Sequence, residues 1–341
     1  MKRTAQLYAV ALMVLLAAAW NQWTAEEPVD LEGKVVMLQG EADDVEVVRW
    51  VSTDSEATIT RKSDERGAYF WVDYTRWTEK KLPAARADAA GTDTGDEPEP
   101  EREAKRSAFK SAQKAFDMVA SFSPMAARRS LQVTDEAKLK EIGLVEPSGS
   151  IEIMRGGRSQ KLEVGGEAYG TRDYYVRHVE SGKIYLVERD LLQPLKYART
   201  RLPDRTLVDT PKSDVVSATV NKGDTHLELV QINADDPEKA RWAQAETPDV
   251  EAEQATTWVE RLLNLKGTRY ASPDEPPEGL QNRFSVSIKD RQSSVTLIEV
   301  LQVGEDGDWY ARSEHTRGLL KLIRSAASGL ADDVDGVVSG S

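Results

Sequence analysis

The residues of this sequence that could do chemistry are few. A phosphate cradle needs a glycine-rich turn between a strand and a helix, with a Lys-Ser/Thr pair to follow. Gly165-Gly166-Glu167-Ala168-Tyr169-Gly170 supplies the glycines but neither that pair nor that setting, so it reads as a loop. A calcium loop needs a long series of oxygen ligands and a turn glycine. Asp332, Asp333 and Asp335, with Gly336 beside them, are too short a series, and no metal site is expected. The three histidines, His178, His226 and His315, stand far apart, and neither a His-Glu-x-x-His helix nor a Gly-x-Ser-x-Gly elbow occurs. With no cysteine there is no thiolate metal site, Cys nucleophile, disulfide or acylated lipoprotein signal. The expectation is a non-enzyme with no cofactor. A hydrolase would need a cleft with paired carboxylates of shifted pKa. What remains is aromatic and basic. Trp71, Tyr74 and Trp77 follow Tyr69-Phe70, and Trp309 precedes Tyr310. Trp71, Trp77 and Trp309 are candidates for stacking on sugar rings, against the commoner role of aromatics at alternate strand positions as core. Arg128-Arg129, Arg172 and Arg177 could meet an acidic partner, though scattered arginines usually serve solvation.

The elements that would carry these residues begin with a hydrophobic segment. Lys2-Arg3 precedes an apolar run from Leu7 to Ala19, then Trp20 and Trp23, then the acidic stretch Glu26 to Asp30. Basic residues stay cytoplasmic, so the remainder is sent across the membrane. Ala17-Ala18-Ala19 could be a signal-peptidase site. Leu7 to Ala25 is also about long enough to span a bilayer, with tryptophans placed as interfacial anchors. The uncleaved anchor is the preferred reading, because Trp20 crowds the cleavage position. Either way the bulk of the chain is expected on the periplasmic side of a bacterial inner membrane.

The 341 residues leave room for two domains, and 40% apolar with 30% charged residues is globular composition. A net charge of −13 and a pI near 5.0, without a long Lys/Arg cluster, argue against nucleic acid as a partner. Residues 79–106 are rich in Ala, Gly, Asp and Glu and poor in large apolar side chains, and read as a solvated acidic insert.

The chain repeats itself. Val47 to Val51 with Ala57 to Thr60 resembles Val215 to Val220 with Leu227 to Val230. Amphipathic helices follow at Ala112 to Val119 and at Thr256 to Leu263, then Ile142-Gly143-Leu144 and Glu278-Gly279-Leu280. Hairpins follow in turn, Ile151 to Val164 and Phe284 to Val300. Tyr174 to Arg177 then matches Trp309 to Arg312, and the Leu-rich stretch Glu188 to Leu195 matches Leu319 to Ile323. The first strands lie about 168 residues apart and the later elements about 135–140, and a single insertion at 79–106 explains the difference. The expected fold class is α+β: two tandem related modules of antiparallel strands, each with one main helix, after an N-terminal transmembrane helix. The expected boundaries are 1–30 for the anchor or signal, 31–210 for the first module, 211–336 for the second and 337–341 for a tail.

The basic start with its apolar segment, the strand after Val47, the Gly-Leu and hairpin unit from Ile142 to Val164, and Asp173 to Arg177 with Gly182 to Val187 together resemble the bacterial domain-of-unknown-function family 4340. The resemblance spans roughly residues 5–330 and is one of pattern, without a diagnostic motif. It implies an accessory extracytoplasmic component of an ABC-type transport system related to the gliding-motility auxiliary transporter, with the permease and ATPase subunits as partners. It implies no reaction. The alternative is an envelope polysaccharide-binding protein that uses the surface aromatics.

Overall fold

Alternating strands bury one face each, and the helices of this chain lie against the faces so formed. The computed structural model describes residues 33–79, 102–236 and 239–339. The expected N-terminal anchor and most of the acidic insert lie outside the described residues. Among the described residues no helix is long and apolar enough to cross a membrane.

The first half runs β1 (Val35–Leu38), β2 (Val45–Ser52), β3 (Ser55–Asp64), β4 (Gly67–Glu79) and β5 (Arg102–Lys110), then helix α1 (Gln113–Ala120), β6 (Met125–Ala127), β7 (Arg129–Leu131) and helix α2 (Glu136–Glu141). It continues with β8 (Gly149–Arg155), β9 (Arg158–Glu167), β10 (Tyr174–His178), β11 (Ile184–Val187) and helices α3 (Arg189–Lys196) and α4 (Ala198–Arg201). The second half runs β12 (Val215–Lys222), β13 (Thr225–Ile232), β14 (Arg241–Gln244), helix α5 (Glu253–Leu263), β15 (Gly267–Tyr270), β16 (Leu280–Asp290), β17 (Val295–Val303), β18 (Trp309–Ser313), β19 (Leu320–Leu322) and helix α6 (Arg324–Ser339). The fold is thus mixed α+β, with two large antiparallel sheets and six helices among the described residues.

The first sheet has the order β5-β4-β3-β2-β8-β9-β10-β11-β7, and the second β14-β13-β12-β16-β17-β18-β19-β15. Without β5 the two orders coincide strand for strand. Details coincide too. A 3-10 turn, Ala42–Asp44 or Lys212–Asp214, leads into each β2-type strand, and a bulge interrupts the pairing two residues in, between Val45 and Val47 or between Val215 and Ser217. The cross-strand pair Glu163–Arg177 in the first sheet has its counterpart in Glu299–Arg312 in the second.

Period-two burial places the cores. Val48 and Trp50 of β2 are buried while Arg49 between them is exposed, and Ala218 and Val220 do the same on β12. Helix α1 buries Ala115, Met118 and Val119; α5 buries Ala255, Trp258, Val259 and Leu262. Trp258 lies 5.7 Å from the ring of Phe284 on β16, and its Nε1–H donates to Leu330 O of α6 at 2.9 Å. A ring such as Phe284 contributes about 2–3 kcal/mol by leaving water.

Several expectations change. Strand β4 continues through Glu79, which pairs with Arg102, so the insert excludes 102–106. Those residues look like solvated loop because β5 is an edge strand, exposed along most of its length. The first half has four helices rather than the one main helix and closing Leu-rich helix expected, and the second has two. Leu319 to Ile323 contains strand β19, the equivalent of β11, and the helix equivalent to α3 is α6, so the Leu-rich match was displaced by one element. Helix α6 also absorbs the start of the expected tail, with Val337 buried. The short strands β14, β7 and β15 were absent from the expected pattern, since three or four residues show too little alternation to read, whereas β4, of thirteen residues, was read only through the alternate strand positions of its aromatics.

Candidate functional site

The two sheets meet at their edges. Strand β5 is outermost in the first and β15 outermost in the second. Phe109 near the end of β5 lies 6.0 Å from the ring of Tyr270 at the end of β15. Just past β15, Asp274 Oδ2 accepts from the Arg106 backbone N–H at 3.1 Å. Arg66, in the β3–β4 turn, donates to Thr296 Oγ1 at 3.0 Å and to the Val295 carbonyl. Arg317 forks onto Asp64, 2.8 Å from Nη2 to Oδ1, and stands 4.1 Å over the ring of Tyr69. That guanidinium holds the Asp64 carboxyl down at about 2.

A buried charge cluster lies inside this seam. Lys110 ends β5, Asp204 and Thr206 lie on the segment that follows α4, and His315 follows β18. Lys110 Nζ donates to Asp204 Oδ2 at 2.9 Å. His315 Nε2 lies 2.7 Å from the same oxygen, and its Nδ1 lies 3.0 Å from Asp209 Oδ2. Thr206 donates to Asp204 Oδ1 through Oγ1 at 2.7 Å and through its N–H at 3.1 Å. A carboxylate on each ring nitrogen is the arrangement of an imidazolium, which donates from both. Lys110 Nζ sits only 3.0 Å from Nε2 because both cations share one carboxylate oxygen. Burial pulls His315 down, but Asp204 and Asp209 outweigh it together with the opposing Lys110 charge, so the imidazole titrates above its ordinary value. Burial would raise Asp204; hydrogen bonds from His315, Thr206 and Lys110 overcome it and leave that carboxyl well below the usual range. The His315 hydrogen bond likewise holds Asp209 at about 2. Burial, followed by the Asp204 charge, pushes the Tyr270 phenol up. Chemically the cluster is two cations against two anions, and its groups are engaged with one another.

Two clefts adjoin the seam on the β5 side. One, of about 580 Å³, lies between β5 and β15 and reaches Arg199, Arg205 and Tyr310. The other, of about 410 Å³, lies beside Trp50, Tyr74, Arg76 and Tyr197, and Arg199 belongs to both. A third, of about 450 Å³, opens on the other side at Arg66, Asp209 and Arg291.

The structure does not bring the three candidate tryptophans together. Trp309 is buried on β18, 6% exposed, and offers no face to a sugar ring. Trp71 and Trp77 are half-buried on the same face of β4, six residues apart. Lys62 covers Trp71 at 5.4 Å. Tyr74 points the other way, into the core. The glycines at 165 and 166 end β9 beneath Ile142-Gly143-Leu144. Gly166 N–H donates to Ile142 O at 2.8 Å, and a Cβ on Gly165 would stand 2.4 Å from that oxygen. They are glycines because two backbones touch, not because a ligand does. Asp333 pairs with Arg261, and Asp335 with Lys222 at 2.8 Å. Arg128 pairs with Asp173 at 2.8 Å and Arg177 with Glu163, while Arg172 is exposed in a turn at φ 59°.

Sequence reasoning noted His315 only as one of three scattered histidines and missed Lys110 and Asp204. Three single polar residues about a hundred positions apart carry no spacing signal, and only the fold joins them. Comparison with curated proteins and with solved structures finds no match. The family model for the domain of unknown function DUF4340 matches residues 103–283, from the second residue of β5 to the interior of β16. That span is more than half of the chain and includes Lys110, Asp204 and both strands β5 and β15 that flank the cleft, apart from Arg102; the chain belongs to the DUF4340 family.

Proposed function

We propose that this protein is a non-catalytic, membrane-anchored, extracytoplasmic accessory component of an ABC-type transport system, working through protein contacts. The observation that carries the reading is the use made of the buried titratable groups. Lys110, Asp204 and His315 are spent on one another across the seam, in the manner of a structural clamp rather than of a site holding a proton ready for substrate. The common strand order of the two sheets supports a further point, that the halves derive from one duplicated unit. A duplicated sheet scaffold clamped edge to edge suits a protein that presents surfaces. The apolar segment from Leu7 to Ala25, preceded by Lys2-Arg3, supports the anchor and the periplasmic placement of the remainder.

The test is a pull-down of the tagged full-length protein from native membranes in mild detergent, with mass spectrometry of what accompanies it. A permease and its ATPase should be recovered. Recovery of the protein alone, from membranes shown to contain those subunits, would overturn the reading. The glycan alternative would then rest on Trp71 and Trp77 alone, since Trp309 is buried.

A further inference from the structure

We propose that the cleft between β5 and β15 is a docking site for an acidic, extended peptide segment of a partner protein. The first observation is charge. The whole chain carries −13, yet the walls of this cleft hold six basic side chains, Lys105, Arg106, Arg199, Arg205, Arg269 and Lys321, against three acidic ones, Glu103, Asp274 and Glu275. Three of the six have a carboxylate nearby. Arg106 lies 3.7 Å from Asp274, Lys321 pairs with Asp308, and Arg269 feels the same Asp308 charge. Lys105, Arg199 and Arg205 have no side-chain hydrogen bond or ion pair among the described residues. Several arginines elsewhere on this surface are matched to acids, as Arg49 is to Glu56, Arg291 to Asp235 and Arg312 to Glu299. Three unmatched cations around one concavity raise a local positive potential in an acidic molecule, which draws and orients an anion.

The second observation is shape. The cleft runs between the outermost strands of two sheets; the Arg106 N–H and C=O on its β5 wall are already taken by Asp274 and Ser272, so an occupant is held by side chains rather than by an added strand ladder. Arg199 continues the basic surface into the neighbouring cleft, where Arg76 and the exposed ring of Tyr197 line the wall. The pair of clefts, about 580 and 410 Å³, is longer than one oxyanion needs and suits several residues at about 3.3 Å each. Guanidinium forks match side-chain carboxylates, and the half-buried Tyr310 ring offers apolar area beside them. The inference rests on the protein-contact reading, for which it supplies the contacting surface.

Fluorescence anisotropy of a labelled seven-residue peptide alternating Glu and Val, titrated with the full-length protein in detergent at low salt, tests it. Saturable binding is expected, with none for the Lys-Val peptide of equal length. The Arg199→Glu/Arg205→Glu double variant, its folding checked by circular dichroism, should bind at least tenfold more weakly. No saturation, or an unchanged affinity in the double variant, would overturn the proposal. So would displacement of the peptide by inorganic phosphate, or by an oligogalacturonate, at a lower concentration of negative charge than the peptide itself requires. Those results would assign the cleft to a free oxyanion or to an acidic glycan. The titration needs no membrane partner. Recovery of the permease without peptide binding would therefore sink the docking site alone, and peptide binding without recovery would sink the transporter reading alone.

Discussion

At the scale of single residues, Asp204 matters most to the seam. One carboxylate receives Lys110, His315 and Thr206, so removing its charge strands Lys110 and leaves His315 to Asp209 alone. Asp204→Asn is expected to cost about 3–5 kcal/mol, the range for breaking a buried pair from one side, read as a lower urea midpoint. The same contacts make stability depend on pH. His315 titrates above 6.5 when folded, so its contribution is full below 6.5 and is lost as pH rises through the raised value. Asp209 titrates at about 2 against an ordinary 3.8, so its contribution is full above 3.8 and is lost as pH falls through about 2. Asp204, also depressed, acts in the direction of Asp209. Stability should therefore be greatest between about pH 4 and 6.5. His315→Gln should flatten the alkaline limb while leaving the acid limb in place, as followed by thermal melts across pH. None of this was legible beforehand, because the sequence brings positions 110, 204 and 315 no nearer to one another than any other three. The tryptophans were legible as strand residues, but period two alone does not say which face of a sheet is covered, and Trp309 fell on the covered one.

At the scale of elements, the close crossing of β9 under the turn after α2 is a packing constraint with no slack. Gly165→Ala would press a methyl against Ile142 O, and Gly143, at φ 72°, would set its own Cβ 2.8 Å from Gly166 N. Gly165→Ala should lower stability by about 1–3 kcal/mol, the usual cost of overpacking, without altering the far-UV circular dichroism. Where elements were long and strongly periodic they were visible in the sequence. The helices α1 and α5 and the hairpins β8–β9 and β16–β17 fall where periodicity put them. Short strands whose partners come from distant sequence were not visible. Strand β15, of four residues, is fixed by pairing with β19 and by the seam, and β5 by pairing with all nine residues at the end of β4. Tertiary pairing, not local propensity, makes these strands.

At the scale of the whole molecule, the halves are joined by contacts that include one aromatic pair, the Arg106–Asp274 contact, one buried charge cluster and the forks of Arg66 and Arg317. The intact protein should unfold in one calorimetric transition. Phe109→Ala, which empties the ring site facing Tyr270 at a cost of about 3–5 kcal/mol, should separate the transition into two if made together with Asp204→Asn. The sheet order of each half was within reach of sequence repetition; the way one half faces the other was not, because it depends on β5, the strand that the repetition does not predict. That strand has a consequence for assembly. Two like bodies are joined here through unlike edges, β5 of one and β15 of the other, and such a head-to-tail contact has no two-fold axis to close it. Left to itself, a join of this kind propagates into a ring or a filament. Among the described residues no strand extends the second sheet beyond β14 as β5 extends the first, so these residues offer a third body no head to dock on.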